Sequence, residues 1–215
     1  LAADNKAEAL RLYREALAAA RERGQVDAAA RKLRGLGEKV DLPALLGMVM
    51  TWKLIGPFPN KDRKGMETAY PPEKGPDFGA GYDGKAGRVK WLDYTSKDDY
   101  GLVDLKDALK DHAEVVAYAA ADFPSKEARE VEIRLGCYTG FKLWVNGELV
   151  LERGDAYTGM QLDHYVAKAR LKEGDNVLLL KVAQDEPPPQ LPAMLRFQLR
   201  VCDAAGKAVL PAGRK

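Results

Sequence analysis

The sequence predicts a mainly β protein, in which an antiparallel β-sandwich follows an N-terminal helical hairpin. The spacing of apolar residues changes near Gly47 from the helical period to the alternation of strands. Roughly eight or nine short apolar segments then follow one another without interleaved helices, which is typical of antiparallel sandwiches and not of α/β folds. Asn146-Gly147 also separates two apolar runs, as the two-residue turn of a β-hairpin does.

Residues 1–47 are predicted to form the helical hairpin, with a stop between its two helices at Gly24. Apolar residues share one face of the first helix at Leu10, Tyr13 and Leu17. In the second helix they recur at Ala29, Leu33, Leu36 and Val40. Because so short a pair cannot bury a core alone, two interpretations stay open. The hairpin is either the last unit of a helical repeat array or a cap on the following domain.

Residues 48–215 are predicted to form the sandwich. Strands are expected at residues 51–60, 88–95, 114–123, 129–138, 141–145, 148–152, 166–171, 177–183 and 194–202. The run at 177–183 is apolar on both faces, which predicts a central buried strand. Residues 61–87 are rich in glycine, proline and charge, so we expect a long loop there.

The two cysteines are not expected to form a disulfide. Strand alternation turns Cys137 towards the core and Cys202 outward, so their side chains point to opposite faces. They form no CxxC pair either, which leaves a zinc or thioredoxin-like site unsupported.

Three segments of the predicted sandwich carry a family resemblance: LWVNGELV, GDAYTGM and LKEGDNVLLLKV. They resemble the sugar-binding jelly-roll domain of β-galactosidase- and β-glucuronidase-type glycoside hydrolases, which is galactose-binding-like in fold. WKLIGPF and YPPE, nearer the N-terminus, are similar to the opening of modules that follow helical repeats in large planctomycete-type bacterial proteins. The resemblance covers most of residues 50–203.

This resemblance implies a jelly-roll fold and an accessory, non-catalytic role. In the hydrolases the catalytic carboxylates lie in a separate barrel domain that has no counterpart here, and the matching motifs report fold, not chemistry. We therefore expect a carbohydrate-binding or adhesion module of a larger secreted or envelope protein, with an extracytoplasmic location. The alternative is a purely structural or protein-interaction domain that packs helical repeats against a neighbouring domain. An enzyme is the least favoured reading.

Four residues are candidates for a sugar site. Alternation along residues 141–145 turns Lys142 and Trp144 away from the core, while Tyr138 and Tyr157 lie in adjoining loops. Trp144 would offer a ring on which a sugar stacks, and Lys142 could donate a hydrogen bond to a hydroxyl. The alternative is that Trp144 packs under a neighbouring loop or against the helical hairpin.

Other partners are disfavoured by composition. A net charge of +2 without a basic cluster argues against nucleic acid, and the absence of a long apolar run argues against membrane insertion. A literal GxGxxG occurs at Gly79, Gly81 and Gly84, but a strand follows it where a dinucleotide site needs a helix. Since the sequence opens inside a helical pattern, we expect a segment of a longer protein, whose targeting signal would lie outside it.

The remaining polar residues give weaker signals. His112 and His164 lack ligand spacing, so both are expected to be structural or on the surface. Glu67 and Glu73 flank an aromatic residue in the long loop. A glycosidase would need two carboxyl groups about 5 to 10 Å apart. The favoured interpretation is that both glutamates are solvated charges of the loop. No cofactor is expected. The alternative is a structural calcium ion, which galactose-binding-like sandwiches often hold in a loop and for which aspartates could supply oxygen ligands. The candidate ligands are Asp62, Asp77, Asp83, Asp155 and Asp163.

Overall fold

The computed structural model describes residues 2–20, 22–110, 113–154, 159–185 and 194–214. The chain divides into two compact units, Leu1–Leu42 and Pro43–Lys215. Among the described residues, no helix is long and apolar enough to cross a membrane.

The N-terminal unit contains two helices, α1 (Ala2–Ala19) and α2 (Arg23–Gly35). Helix α2 begins at a capping box, in which the backbone N–H of Glu22 donates to Oε1 of Gln25, and the Glu22 side chain accepts from the backbone of Gln25. Because this box starts α2 at Arg23, Gly24 lies inside the helix and is not the stop that the sequence predicted. Val26 and Ala30 belong to the buried cluster of this unit.

The second unit is built from twelve strands within the described residues. They are β1 (Thr51–Pro59), β2 (Gly81–Gly84), β3 (Gly87–Lys90), β4 (Leu92–Thr95), β5 (Val103–Asp104), β6 (Val115–Asp122), β7 (Arg129–Cys137), β8 (Gly140–Val145), β9 (Glu148–Arg153), β10 (Tyr165–Leu171), β11 (Val177–Gln184) and β12 (Arg196–Cys202). Two short helices complete the elements: α3 (Leu42–Leu46) and α4 (Leu105–Leu109).

The strands form antiparallel sheets, which confirms a mainly β protein. One sheet has six strands in the order β4-β1-β6-β11-β8-β9, and the other has four in the order β10-β7-β12-β5. A single large cluster of buried apolar residues draws members from both sheets, so the sheets form the two layers of a sandwich around one core. Strands β2 and β3 pair separately as a small hairpin.

Strand β11 lies inside the six-stranded sheet and is apolar on both faces, as its sequence predicted. Leu178 and Leu180 belong to the core between the sheets, whereas Leu179 belongs to a second cluster on the outer face of the six-stranded sheet. The apolar run is interrupted by Lys181, which lies on the same outer face as Leu179 and whose side chain is completely buried.

The segment expected to be a long loop covers this outer face. It contains two 3-10 turns, Lys61–Arg63 and Pro71–Lys74, and it ends in the β2–β3 hairpin. Met66 is a buried member of the second cluster, and aromatic side chains of the segment pack against it. Gly84, from the GxGxxG motif, lies in β2, where an added Cβ would come within 2.7 Å of the carbonyl oxygen of Pro57. Gly84 therefore serves a close-packed hairpin.

The Asn146-Gly147 turn is confirmed. Both residues have positive φ, 53° and 83°, as the predicted turn type requires. The Asn146 side chain donates to Oδ1 of Asn176 at 2.8 Å and accepts from the backbone N–H of Val177 at 3.0 Å. These bonds hold the β8–β9 turn against the start of β11.

Cys137 and Cys202 are both free and lie on opposite faces, as predicted. Cys137 is part of the core between the sheets, and burial raises its pKa to about 12. Cys202 faces away from that core but is also buried, because the chain turns back and Ala208 forms a β-bridge with it.

Candidate functional site

The outer face of the six-stranded sheet carries a row of polar side chains across four adjacent strands. The cross-strand register sets Tyr118 of β6 opposite Lys181 of β11, Lys181 opposite Lys142 of β8, and Lys142 opposite Glu152 of β9. Directly opposed residues on antiparallel strands project to the same face, so these four form one polar row. Trp144 is two residues beyond Lys142 on β8 and therefore shares this face.

The centre of the polar row is the buried Lys181. Its ammonium donates to the carbonyl oxygens of Met66 at 2.9 Å and Thr68 at 2.8 Å, and to Oε1 of Glu73 at 2.7 Å. An ammonium has three donors, and all three are used. Burial lowers the pKa of Lys181, and the hydrogen bond and charge of Glu73 act in the opposite direction.

Two tyrosines complete this arrangement, which we call the Lys181 cluster: Lys181, Glu73, Tyr118 and Tyr70. The Tyr118 hydroxyl donates to the same Glu73 oxygen, and burial, together with that carboxylate, raises the pKa of Tyr118. The Tyr70 and Tyr118 rings each lie 5.7 Å from the Lys181 ammonium. The cluster therefore fastens residues 61–75, the covering segment, to the sheet by directional contacts.

Lys142 is the second cation of the row and is partly exposed. Its Nζ lies 3.2 Å from Oε2 of Glu67 in the covering segment and 3.6 Å from Oε2 of Glu152 on β9. The Glu67 and Glu152 side chains are 78% and 55% exposed, so both carboxylates remain open to solvent or to a ligand. The sequence predicted Lys142 as a donor, and the structure adds two acceptors beside it.

Trp144 is half-buried on the same face. It packs against the second apolar cluster, and its register partners are Leu179 on one side and the exposed Leu149 on the other. Part of the ring is thus supported from below and part remains at the surface. We call Lys142, Trp144, Leu149, Glu152 and Glu67 the Trp144 patch.

The structure brings together two of the four predicted site residues. Lys142 and Trp144 share one face of β8, whereas Tyr138 directly follows β7 in the other sheet. Tyr157 lies outside the described residues. The sequence analysis did not identify the contacts that Glu152 and Glu67 make with Lys142. It also missed Lys181, which a lone charge inside an apolar run could have indicated.

Two of the candidate calcium ligands, Asp163 and Asp77, have hydrogen-bond partners within the protein. Asp163 receives hydrogen bonds from both Arg134 and Arg200, so its carboxylate is committed to an ion pair. Burial alone would raise the pKa of Asp163, but these two guanidinium groups hold it below its usual value. Asp77 accepts from the backbone N–H of Gly79. Among the residues that the structure describes, no group of three or more His, Cys, Asp or Glu could hold a metal ion.

The other candidates for chemistry are separated or structural. Glu73 belongs to the Lys181 cluster while Glu67 faces Lys142, so the two do not share a site. His164 stacks on the Tyr165 ring with centroids 4.4 Å apart. His112 and Asp155 lie outside the described residues.

No family model and no curated protein matches the sequence. Among solved structures, an anti-sigma factor domain-containing protein from Clostridium clariflavum is similar at 11% identity and a TM-score of 0.42, over 76% of this chain and 45% of that chain. A family 35 carbohydrate binding module from Clostridium thermocellum is similar at 20% identity and a TM-score of 0.29, over 41% and 72% of the two chains.

A β-glucosidase from Kluyveromyces marxianus is similar at 15% identity and a TM-score of 0.42, over 80% of this chain and 21% of that chain. The chain thus spans less than half the length of the first of these three structures and about a fifth of the β-glucosidase. At these TM-scores the likenesses carry no argument about function.

Proposed function

We propose that the sandwich unit is a non-catalytic carbohydrate-binding module with a galactose-binding-like jelly-roll fold, carried by a larger secreted or envelope protein. The observation that supports this proposal is the Trp144 patch, in which an aromatic ring lies beside Lys142, Glu67 and Glu152. Sugars are bound by an aromatic face together with a few polar groups of fixed position.

The chemistry of the patch matches that of a sugar. The ring of Trp144 and the exposed side chain of Leu149 offer apolar surface to the C–H face of a pyranose. The Lys142 ammonium donates hydrogen bonds and the two carboxylates accept them, while each sugar hydroxyl can do both. Because the patch is an open face and not a deep pocket, it would bury little ligand surface, and we expect weak affinity.

The proposal is tested with a glycan array followed by calorimetry on the wild type and Trp144→Ala. We expect Trp144→Ala to weaken binding roughly three- to tenfold or more, the range that a lost aromatic contact supports. The matched control is Val166→Ala, which removes an exposed apolar side chain from the other sheet. Circular dichroism verifies that both variants fold. A wild type that binds no glycan, or a folded Trp144→Ala variant that binds as well as the control, would refute the proposal.

A second candidate is a structural domain that packs helical repeats against a neighbour. It is favoured by an apolar groove of about 440 Å³ between the two helices of the N-terminal unit. The groove is lined by Tyr13, Ala16, Ala19, Ala20, Gln25, Ala28, Ala29 and Lys32. Small side chains let another helix approach closely. Under this candidate, Ala16→Arg in the longer protein should loosen repeat packing and increase its limited proteolysis; unchanged proteolysis would count against it.

A further inference from the structure

We infer that Glu67 and Glu152, which share the ammonium of Lys142, make the Trp144 patch selective for neutral saccharides over acidic ones. This inference rests on the proposed function and adds to it the class of ligand. Its basis is the charge of the patch and the way in which Glu67 is held.

The charge of the patch is negative on balance. Two carboxylate oxygens lie within 3.6 Å of one ammonium nitrogen, so two negative groups meet a single positive one. Lys181, the neighbour of Lys142 on β11, is already paired with Glu73 at 2.7 Å. Ionised carboxylates accept hydrogen bonds and donate none, so they suit the hydroxyl hydrogens of a sugar and oppose the carboxylate of a uronic acid.

Glu67 is held in place from beneath. Lys181 donates to the carbonyl oxygens of Met66 and Thr68, the residues on either side of Glu67. The backbone N–H and the hydroxyl of Thr68 both donate to the carbonyl of Lys64, which closes this turn of the covering segment. A buried donor thus fixes the backbone on both sides of an exposed carboxylate, and we assign Lys181 as a positioning residue for Glu67.

Glu152 is fixed by the sheet itself. It is the direct register partner of Lys142 in the β8–β9 ladder, so its side chain projects to the same face. The acceptors therefore come from two separate elements, the covering segment and β9, and converge on Lys142. Trp144 is next to them along β8, which places the apolar and polar parts of the patch within reach of one sugar ring.

The expected selectivity follows from Coulomb's law. One excess negative charge about 4 Å from a uronate carboxylate disfavours binding by roughly fivefold in a water-like dielectric. Because the patch is open to solvent, added salt should reduce this discrimination.

The test is an array of neutral glycans, each beside its acidic counterpart: glucan with glucuronan and galactan with galacturonan. We expect the wild type to prefer the neutral member of each pair. The double variant Glu67→Gln/Glu152→Gln leaves Lys142 as the only charge of the patch and should reverse the preference, less strongly at high salt. The matched control is Glu130→Gln, which neutralises a carboxylate of similar exposure, 69%, on the other sheet.

The outcomes separate this inference from the proposed function. If the wild type binds acidic and neutral members equally, or if the folded double variant keeps the wild-type ratio, the inference fails while carbohydrate binding stands. If the wild type binds no glycan on the array, the proposed function fails and this inference fails with it. Reversal in the double variant but not in Glu130→Gln supports the assignment of both carboxylates.

Discussion

The contribution of the Lys181 cluster to stability can be measured with Glu73→Gln. This change removes the negative charge but keeps the size of the side chain, so the completely buried ammonium of Lys181 loses its counterion. It retains only uncharged oxygen acceptors, the carbonyls of Met66 and Thr68 and the new amide. Removing one partner of a buried ion pair is strongly destabilising, because it leaves an uncompensated buried charge.

The expected loss of unfolding free energy is about 3 kcal/mol, the lower end of the range for a broken buried ion pair. The lower end applies because the Glu73 side chain is 15% exposed, so water can partly solvate the unpaired ammonium. Urea unfolding followed by tryptophan fluorescence suits the measurement. All three tryptophans of the chain, Trp52, Trp91 and Trp144, lie in the sandwich unit and report on it alone.

Two controls identify the cause of the loss. Glu130→Gln breaks an exposed pair with Arg170 and should cost less than about 1 kcal/mol. Glu73→Gln/Lys181→Met removes both charges and should recover much of the loss, since apolar replacement of a buried pair is often nearly neutral. The reasoning is refuted if Glu73→Gln costs no more than Glu130→Gln, or if the double variant is no more stable than Glu73→Gln.

Three further predictions concern other parts of the sandwich. Gly147→Val should destabilise it by roughly 1 kcal/mol or more, because a β-branched residue adopts positive φ poorly; an unchanged melting temperature would contradict this. Cys137 and Cys202 should resist a thiol reagent at pH 8 in the native state, because both are buried and burial raises the pKa of each thiol; rapid labelling, or a bridge in non-reducing mass spectrometry, would disprove it. The pKa of Asp163 is lower in the folded protein than its ordinary value of about 3.9, so the ionised carboxylate stabilises the fold at pH values above about 3.9 and this stabilisation is lost as the pH falls through the native pKa. The urea midpoint of Asp163→Asn should therefore depend less on acid pH than that of the wild type; an identical dependence would exclude this role.

Local patterns were enough to predict most of the strands and the hairpin turn. They missed the short strands β2 and β5, and the one strand expected at residues 88–95 is divided between β3 and β4. Alternation along residues 129–137 and the Asn146-Gly147 pair are decided by neighbouring residues, so the sequence alone predicts them. The same alternation predicted that Lys142 and Trp144 share the outer face. Each of these features depends on the backbone period and on no distant contact.

The covering segment could not be predicted in the same way. Its structure depends on Lys181, which is more than a hundred residues away in sequence. The ammonium of this lysine donates hydrogen bonds to a Glu73 oxygen and to backbone carbonyl oxygens of the segment. A charged residue inside an apolar run indicates an unusual site, but the sequence does not show which residues pair with it. The pairing of Lys142 with Glu67 is equally non-local, so composition suggested only a solvated loop.

Lys181 has two roles that can be tested separately: it positions the backbone around Glu67, and it forms a buried ion pair with Glu73. The double variant Glu73→Gln/Lys181→Met separates them. Methionine at 181 can pack on the same apolar cluster, but its contacts have no direction and it donates no hydrogen bond to the carbonyls of Met66 and Thr68. The backbone on either side of Glu67 then loses the two hydrogen bonds that fix its position above the sheet. The fold and the charges of Glu67 and Glu152 remain.

We therefore expect a stable sandwich in which the preference for neutral over acidic glycans shrinks towards that of Glu67→Gln alone. The comparison is made on the same paired glycan array, with unfolding midpoints measured beside it. A double variant with wild-type selectivity would show that Glu67 needs no support from beneath, and Lys181 would then serve stability only.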